Sequence, residues 1–169
     1  LPFGPRPVLR AASSARLLVV GQAPGRRVHE TGIPWNDPSG DRLRDWLHLD
    51  REHFYDERRI AIVPTAFCYP GSGPRGDIAP RAECAPLWHP QLLARLPKLS
   101  IALLIGSYAQ AYYLGNKRKH SLLETVRAWK EYLPEFIPLP HPSPRNMRWF
   151  KLNPWFDEEF VPAIRRRVK

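Results

Sequence analysis

The sequence predicts an α/β fold: a three-layer α/β/α arrangement around a central, mostly parallel sheet of four strands. Three observations carry that expectation. Strand-like and helix-like segments alternate along the chain, as βαβ units require. The strand-like segments "LLVV", "IAIV", "IALLI" and "FIPL" are continuous apolar runs rather than alternating ones, which suits strands covered on both faces. Each run breaks into a Gly- or Pro-bearing turn, and in open parallel sheets ligand sites form outside the carboxyl ends of the strands.

Residues 1–15 read as an extended, proline-bearing arm. Residues 16–21 form a short buried strand ending in a glycine turn, and residues 26–39 read as loop. Residues 40–49 have helical spacing, with Leu43, Trp46 and Leu47 on one face. A second strand covers 60–66 and opens into the loop "YPGSGPRGDIAP". Residues 81–96 read as a helix with Leu87, Leu92, Leu93 and Leu96 inward. "LSIALLIG" is a third strand ending in Gly106, followed by a helix with Ser107 as N-cap and Gly115 as terminator. Ser121 and Glu124 stand in capping-box spacing at the head of "SLLETVRAWKEYL". "FIPLPHPSPRN" is a fourth strand running into a proline-rich loop, and Asn153 and Pro154 start a terminal helix ending in "RRRVK". No repeat, low-complexity tract or linker divides the chain, so residues 1–169 are expected to form one domain.

A chain of 169 residues, 43% of them hydrophobic, can bury a core of ordinary size. No run approaches the roughly 20 apolar residues that cross a bilayer, which excludes a membrane-spanning helix. The formal charge of +10 favours a polyanionic partner such as nucleic acid. Twenty prolines, many in loops, suggest connections held in one shape. Cys68 and Cys84, with no secretory signal, indicate a reducing, cytoplasmic compartment. The first residue, Leu1, is not Met, so an upstream segment processed or left out is expected.

The four strand-end loops, "GQAPG", "FCYPGSG", "GSYAQ" and "HPSPRN", converge on one rim in such a fold. "GQAPG" lacks the spacings of a P-loop or a dinucleotide fingerprint, and alone it is turn chemistry. "HPSPRN" is sharper. Its histidine is pinned between prolines, and Ser143, Arg145 and Asn146 offer donors for phosphate oxygens.

Together the two motifs resemble the uracil-DNA glycosylase superfamily. Within it, "GQAPGRRVHETGIPWNDPSGDRLRDWL" is most similar to the bacterial and archaeal iron–sulfur branch, where "GEAPG" precedes "TGRPF", a glycine and a Leu-rich helix. The resemblance covers about residues 16–50, 60–84 and 136–150 in the same order. It implies the superfamily's fold and a DNA glycosylase that flips out uracil or a related deaminated base and hydrolyses the N-glycosidic bond. Gly21, Gln22, Ala23 and Gly25 would then line the pocket, with Gln22 and Ala23 acting through backbone groups. Trp35 would stack on the flipped base, and His141 would donate to the base oxygen as negative charge develops. Ser143 would hold a phosphate. Arg145, Asn146, Met147 and Arg148 would enter the duplex, with Met147 or Arg145 as the wedge. The implied partner is DNA containing deaminated bases, bound by a monomer.

Three departures bear on that expectation. Ala23 stands where other branches place a water-positioning Asp or Asn, so the task falls to another group: Glu30, Asp37 or the DNA's own phosphates. Pro64 stands where the family reads the Watson–Crick edge with an asparagine, and Thr65 offers a single hydroxyl instead. Cys68 and Cys84 match two of the four cluster ligands of the iron–sulfur branch, so a cluster is implied only if an upstream cysteine pair precedes Leu1. A non-catalytic nucleic-acid-binding relative, and a small-molecule hydrolase on a similar sheet, are the competing functions.

Overall fold

The computed structural model describes residues 1–74 and 76–168. Arg75, and the Lys169 that closes the basic terminal run, lie outside the described residues. The elements in chain order begin with β1 (Leu17–Val20), the short helix α1 (Arg26–Thr31), α2 (Pro38–Leu47), α3 (Arg51–Phe54) and β2 (Ile60–Ile62). A small hairpin, β3 (Ser72–Gly73) with β4 (Gly76–Asp77), then leads to α4 (Cys84–Leu93). β5 (Ile101–Ile105), α5 (Ser107–Leu114), α6 (Leu122–Arg127), β6 (Phe136–Leu139), α7 (Met147–Leu152) and α8 (Val161–Val168) complete the chain. Among the described residues no helix is long and apolar enough to cross a membrane.

Four strands form a fully parallel sheet in the order β2-β1-β5-β6. The α/β expectation and the sheet's strand count hold. Alternate residues of each strand feed two cores. Leu17, Val19, Leu103, Ile105, Ile137 and Leu139 meet the aromatics of α2, α7 and the terminal segment on one face. Leu18, Val20, Ala61, Ala102 and Leu104 meet Phe67, Leu96, Ala109 and Leu114 on the other. Because both faces are covered, both side-chain sets are apolar, which is why the strands read as continuous runs.

Several local expectations are corrected. The stretch after "GQAPG" is not all loop: α1 forms there, with Gly32 ending it in a left-handed conformation (φ 68). A single buried residue, Val28, gives so short a helix no apolar stripe. The next helix starts earlier than expected, at Pro38, because Asp37 accepts the Gly40 N–H (2.8 Å) as its N-cap. Gly106, not Ser107, occupies the cap position of α5. α4 is shorter than the apolar spacing suggested, and Leu87 is exposed rather than inward because the buried stripe of the helix runs through Ala85 and His89. The capping box of Ser121 and Glu124 is formed as expected. Past Pro154 the chain makes one π-type turn, Phe156–Phe160, before α8.

The N-terminal arm is docked. Arg10 makes an antiparallel bridge to Ile62 and Val8 is buried, so the arm shields the open edge of β2.

One buried polar link ties α4 to the turn beyond β2. His89 is fully buried, with Nε2 2.9 Å from the Pro64 carbonyl and Nδ1 2.6 Å from the Tyr113 hydroxyl. Its two partners suit a neutral ring that donates to Pro64 and accepts from Tyr113. Burial holds its pKa below the ordinary 6.5, the Pro64 carbonyl partly opposing the shift. The unfolded chain therefore protonates first, so this contribution to stability is complete above about pH 6.5 and declines as pH falls below it. The urea midpoint should drop between about pH 7.5 and pH 5, and His89→Gln should lower the midpoint at pH 7.5 while weakening that acid dependence.

Candidate active site

At the carboxyl ends of the strands lies a cleft of about 400 Å³. Its floor is the turn after β1, with Gly21, Gln22, Ala23 and Gly25. Trp35 and Asp37 supply one wall, and His141, Ser143, Arg145 and Asn146 the other. Pro64 and Asp77 also line it. The turns after β1 and β2 are stitched together: Gly21 and Gln22 carbonyls accept from the Thr65 and Ala66 N–H groups (3.0 and 2.9 Å). The Thr65 hydroxyl donates to the Gln22 carbonyl at 2.6 Å.

Trp35 is held in an unusual backbone state. Its φ is +57, a left-handed conformation that a bulky residue adopts only under constraint. The constraint is visible. Arg44, only 5% exposed, donates to the Trp35 carbonyl (3.0 Å) and to the Tyr55 hydroxyl (3.1 Å), and pairs with Asp41 (2.6 Å). Tyr55 in turn donates to the Pro34 carbonyl (2.7 Å). Two glycines make room for the residue so held. A Cβ built on Gly40 would overlap the Trp35 carbonyl, and one built on Gly21 would lie 2.8 Å from the indole Cζ2.

The opposite wall is pinned from within. Asn146 Nδ2 donates to the His141 carbonyl (2.8 Å), and Ser143 Oγ accepts from the Arg145 N–H (3.2 Å). A Cβ on Gly106, at the end of β5, would come 3.5 Å from the His141 Cβ. The Trp35 and His141 rings sit 5.7 Å apart, tilted by 33°. Burial pushes the His141 pKa down, while the carboxylates of Asp37 and Asp77 oppose the shift. The imidazole is therefore neutral near pH 7, able to donate one N–H without bringing a positive charge.

The cleft thus brings together the expected Gly21, Gln22, Ala23, Gly25, Trp35, His141, Ser143, Arg145 and Asn146. Thr65 does not line it: the side chain is 5% exposed and its hydroxyl is engaged by Gln22, leaving Pro64 at the wall. Met147 and Arg148 stand outside it at the start of α7, and Met147 is 42% exposed. Arg42 donates to the Met147 sulfur (2.8 Å) and lies over the Phe150 ring. Of the acids considered for water, Asp37 lines the cleft; Glu30 is absent from its lining and pairs with Arg26 on exposed α1 (2.9 Å). Sequence reasoning missed Arg44 and Asp77. Arg44 carried a signal: positions 40, 43, 44 and 47 form the inward stripe of α2, and a charge on that stripe needs partners. Asp77 carried none, lying in a loop without a recognised spacing.

A family model described as the Uracil DNA glycosylase superfamily matches residues 9–165. The chain belongs to the uracil-DNA glycosylase superfamily. In the superfamily chain described here, the match spans all four sheet strands and both walls of the cleft. An iron–sulfur cluster does not fit the donor set present. Cys68 and Cys84 are both partly buried free thiols, and burial raises the Cys84 pKa, with the nearby Cys68 adding to it. Among the described residues no group of three or more metal-ligating side chains gathers there or elsewhere, whereas a cluster needs four thiolates.

The clamp on Trp35 gives a direct test. Gly40→Ala forces a methyl group against the Trp35 carbonyl, and overpacking of this kind costs about 1–3 kcal/mol or more. The variant should unfold at lower denaturant.

Proposed function

We propose that the protein is a monofunctional DNA glycosylase that flips uracil, or a related deaminated base, out of DNA and hydrolyses its N-glycosidic bond. The observation that carries this reading is the adjacency of Trp35 and His141 in one cleft, whose lining also includes Gln22 and Ala23. An indole fixed at the backbone offers a rigid stacking face for an extruded base, worth about 1–3 kcal/mol. A neutral, half-buried histidine beside it offers an N–H to the base oxygen as the bond breaks and charge moves onto the base. Ser143 would meet a phosphate, and Arg145, Asn146, Met147 and Arg148 would occupy the space the base leaves. Met147 is the better wedge, being exposed, apolar and backed by Arg42. The formal charge of +10 supplies the non-specific attraction to the duplex.

Selectivity in this reading comes from shape more than from paired hydrogen bonds. Pro64 presents no amide to a Watson–Crick edge, and the Thr65 hydroxyl is already engaged. Hypoxanthine and xanthine are therefore substrates to test beside uracil. The motif likeness favours kinship with the iron–sulfur branch. A single domain acting as a monomer inside the cell belongs to the same proposal.

Single- and double-stranded oligonucleotides bearing uracil, hypoxanthine or xanthine, incubated with the protein and then cleaved by alkali at abasic sites, test the proposal. At least one base should be excised. Retained DNA binding with no excision would instead indicate a non-catalytic relative. On the best substrate, His141→Ala should slow single-turnover excision by about 10²-fold or more while leaving DNA affinity nearly unchanged. Trp35→Ala should mainly weaken capture of the extruded base, by about 1–3 kcal/mol. Wild-type excision should persist above pH 7, because the neutral ring is the donor.

A further inference from the structure

We propose that Asp77 is the carboxylate that orients and deprotonates the attacking water, an assignment that rests on the glycosylase reading above. Ala23 leaves the usual water-holding position of the β1 turn without a polar side chain, so the acid must come from elsewhere in the cleft. The β3–β4 hairpin brings one. Asp77 lines the cleft beside Gly25, where a Cβ would lie 3.3 Å from Asp77 Oδ2. The glycine lets that oxygen approach the β1 turn closely. The other oxygen, Oδ1, accepts from the Ser72 hydroxyl (3.2 Å), which is itself bonded to the phenol of buried Tyr69. One oxygen is thus anchored and the other is directed at the cleft floor. The hairpin is also backed by the Arg145 side chain, which packs on Gly76 so closely that a Cβ there would collide with the guanidinium.

The electrostatics agree with the geometry. The charges of Asp37 and Asp77 are both felt at His141, so each carboxylate lies near the imidazole within the cleft. Two other acids compete for the role. Glu30 is absent from the cleft's lining and paired with Arg26. Asp37 lines the cleft too, with Oδ1 engaged in capping α2 through Gly40; what distinguishes Asp77 is the approach of its Oδ2 to Gly25 of the β1 turn. Asp77 is exposed, which suits a group that must take water from solvent.

The step balances. Water oxygen bonds to the sugar C1′ and gives one proton to Asp77. The N-glycosidic bond breaks, and its electron pair leaves on the base, whose oxygen accepts from His141. Solvent later protonates the base and takes the proton from Asp77.

The test compares the wild type with Asp77→Asn, Asp77→Ala and Asp37→Asn on duplexes bearing uracil, hypoxanthine or xanthine. Asp77→Asn should lower the single-turnover rate by about 10²-fold or more, the scale of a lost general base, with the urea midpoint kept. Affinity for a duplex holding an uncleavable abasic-site analogue should stay within about threefold, because a base acting on water matters in the transition state and little in binding. Formate, a small carboxylate, should restore part of the rate to Asp77→Ala, an effect that a purely structural aspartate would not show. Asp77→Asn cutting like the wild type would overturn the assignment while leaving the glycosylase reading intact. So would a loss of about 10²-fold in Asp37→Asn alone, or a loss in Asp77→Ala without formate rescue and with weakened analogue binding. A wild type that excises none of the three bases would overturn both.

Discussion

The site depends on one buried cation. Arg44 sits among the apolar side chains of α2, and its guanidinium must be satisfied there or the helix could not dock. The groups that satisfy it are the Trp35 carbonyl, the Tyr55 hydroxyl and Asp41. Core formation and placement of the indole are therefore the same event. A loop without this tether would release Trp35 from its left-handed backbone, since nothing intrinsic to a tryptophan favours φ +57. Gly40 and Gly21 follow from the same requirement, as the two positions where a methyl group would strike the held residue.

The other wall answers with rigidity of a different kind. His141 lies between two prolines, its carbonyl is held by Asn146, and its Cβ faces Gly106. The parallel sheet sets the distance between the walls. β1 carries the floor, β2 the Pro64 wall and β6 the histidine, and their register leaves all three turns at one end of the sheet. Catalysis by preorganised donors requires such fixed spacing, because donors that must reorganise during reaction lose much of their value.

The sheet was legible in the sequence because burial on both faces removes the polar alternation of an open sheet, leaving runs such as "IALLI". Trp35 was legible only through motif likeness, since no periodicity distinguishes a stacking tryptophan from a core one, whereas His141 also stood out between its two prolines. What could not be read depends on contacts distant in sequence. Leu87 shares an apolar segment with Leu92, Leu93 and Leu96, yet lies exposed because the buried stripe of α4 runs through Ala85 and His89. Thr65 looked available until its partner, the Gln22 carbonyl, was placed beside it. Asp77 became a candidate only when the hairpin set it against Gly25, and neither residue announces the other.

The central claim is that the cleft flanked by the indole and the imidazole receives an extrahelical base on the free face of Trp35. A crystal structure of a catalytically slow variant, soaked with no free base and bound to a duplex containing one deaminated nucleotide, tests it most directly. The account predicts that nucleotide rotated out of the stack, its base lying on the Trp35 ring with His141 at its edge. Arg44 should still hold the Trp35 carbonyl. A bound duplex with the nucleotide still stacked, or with the base lodged away from Trp35, would contradict it.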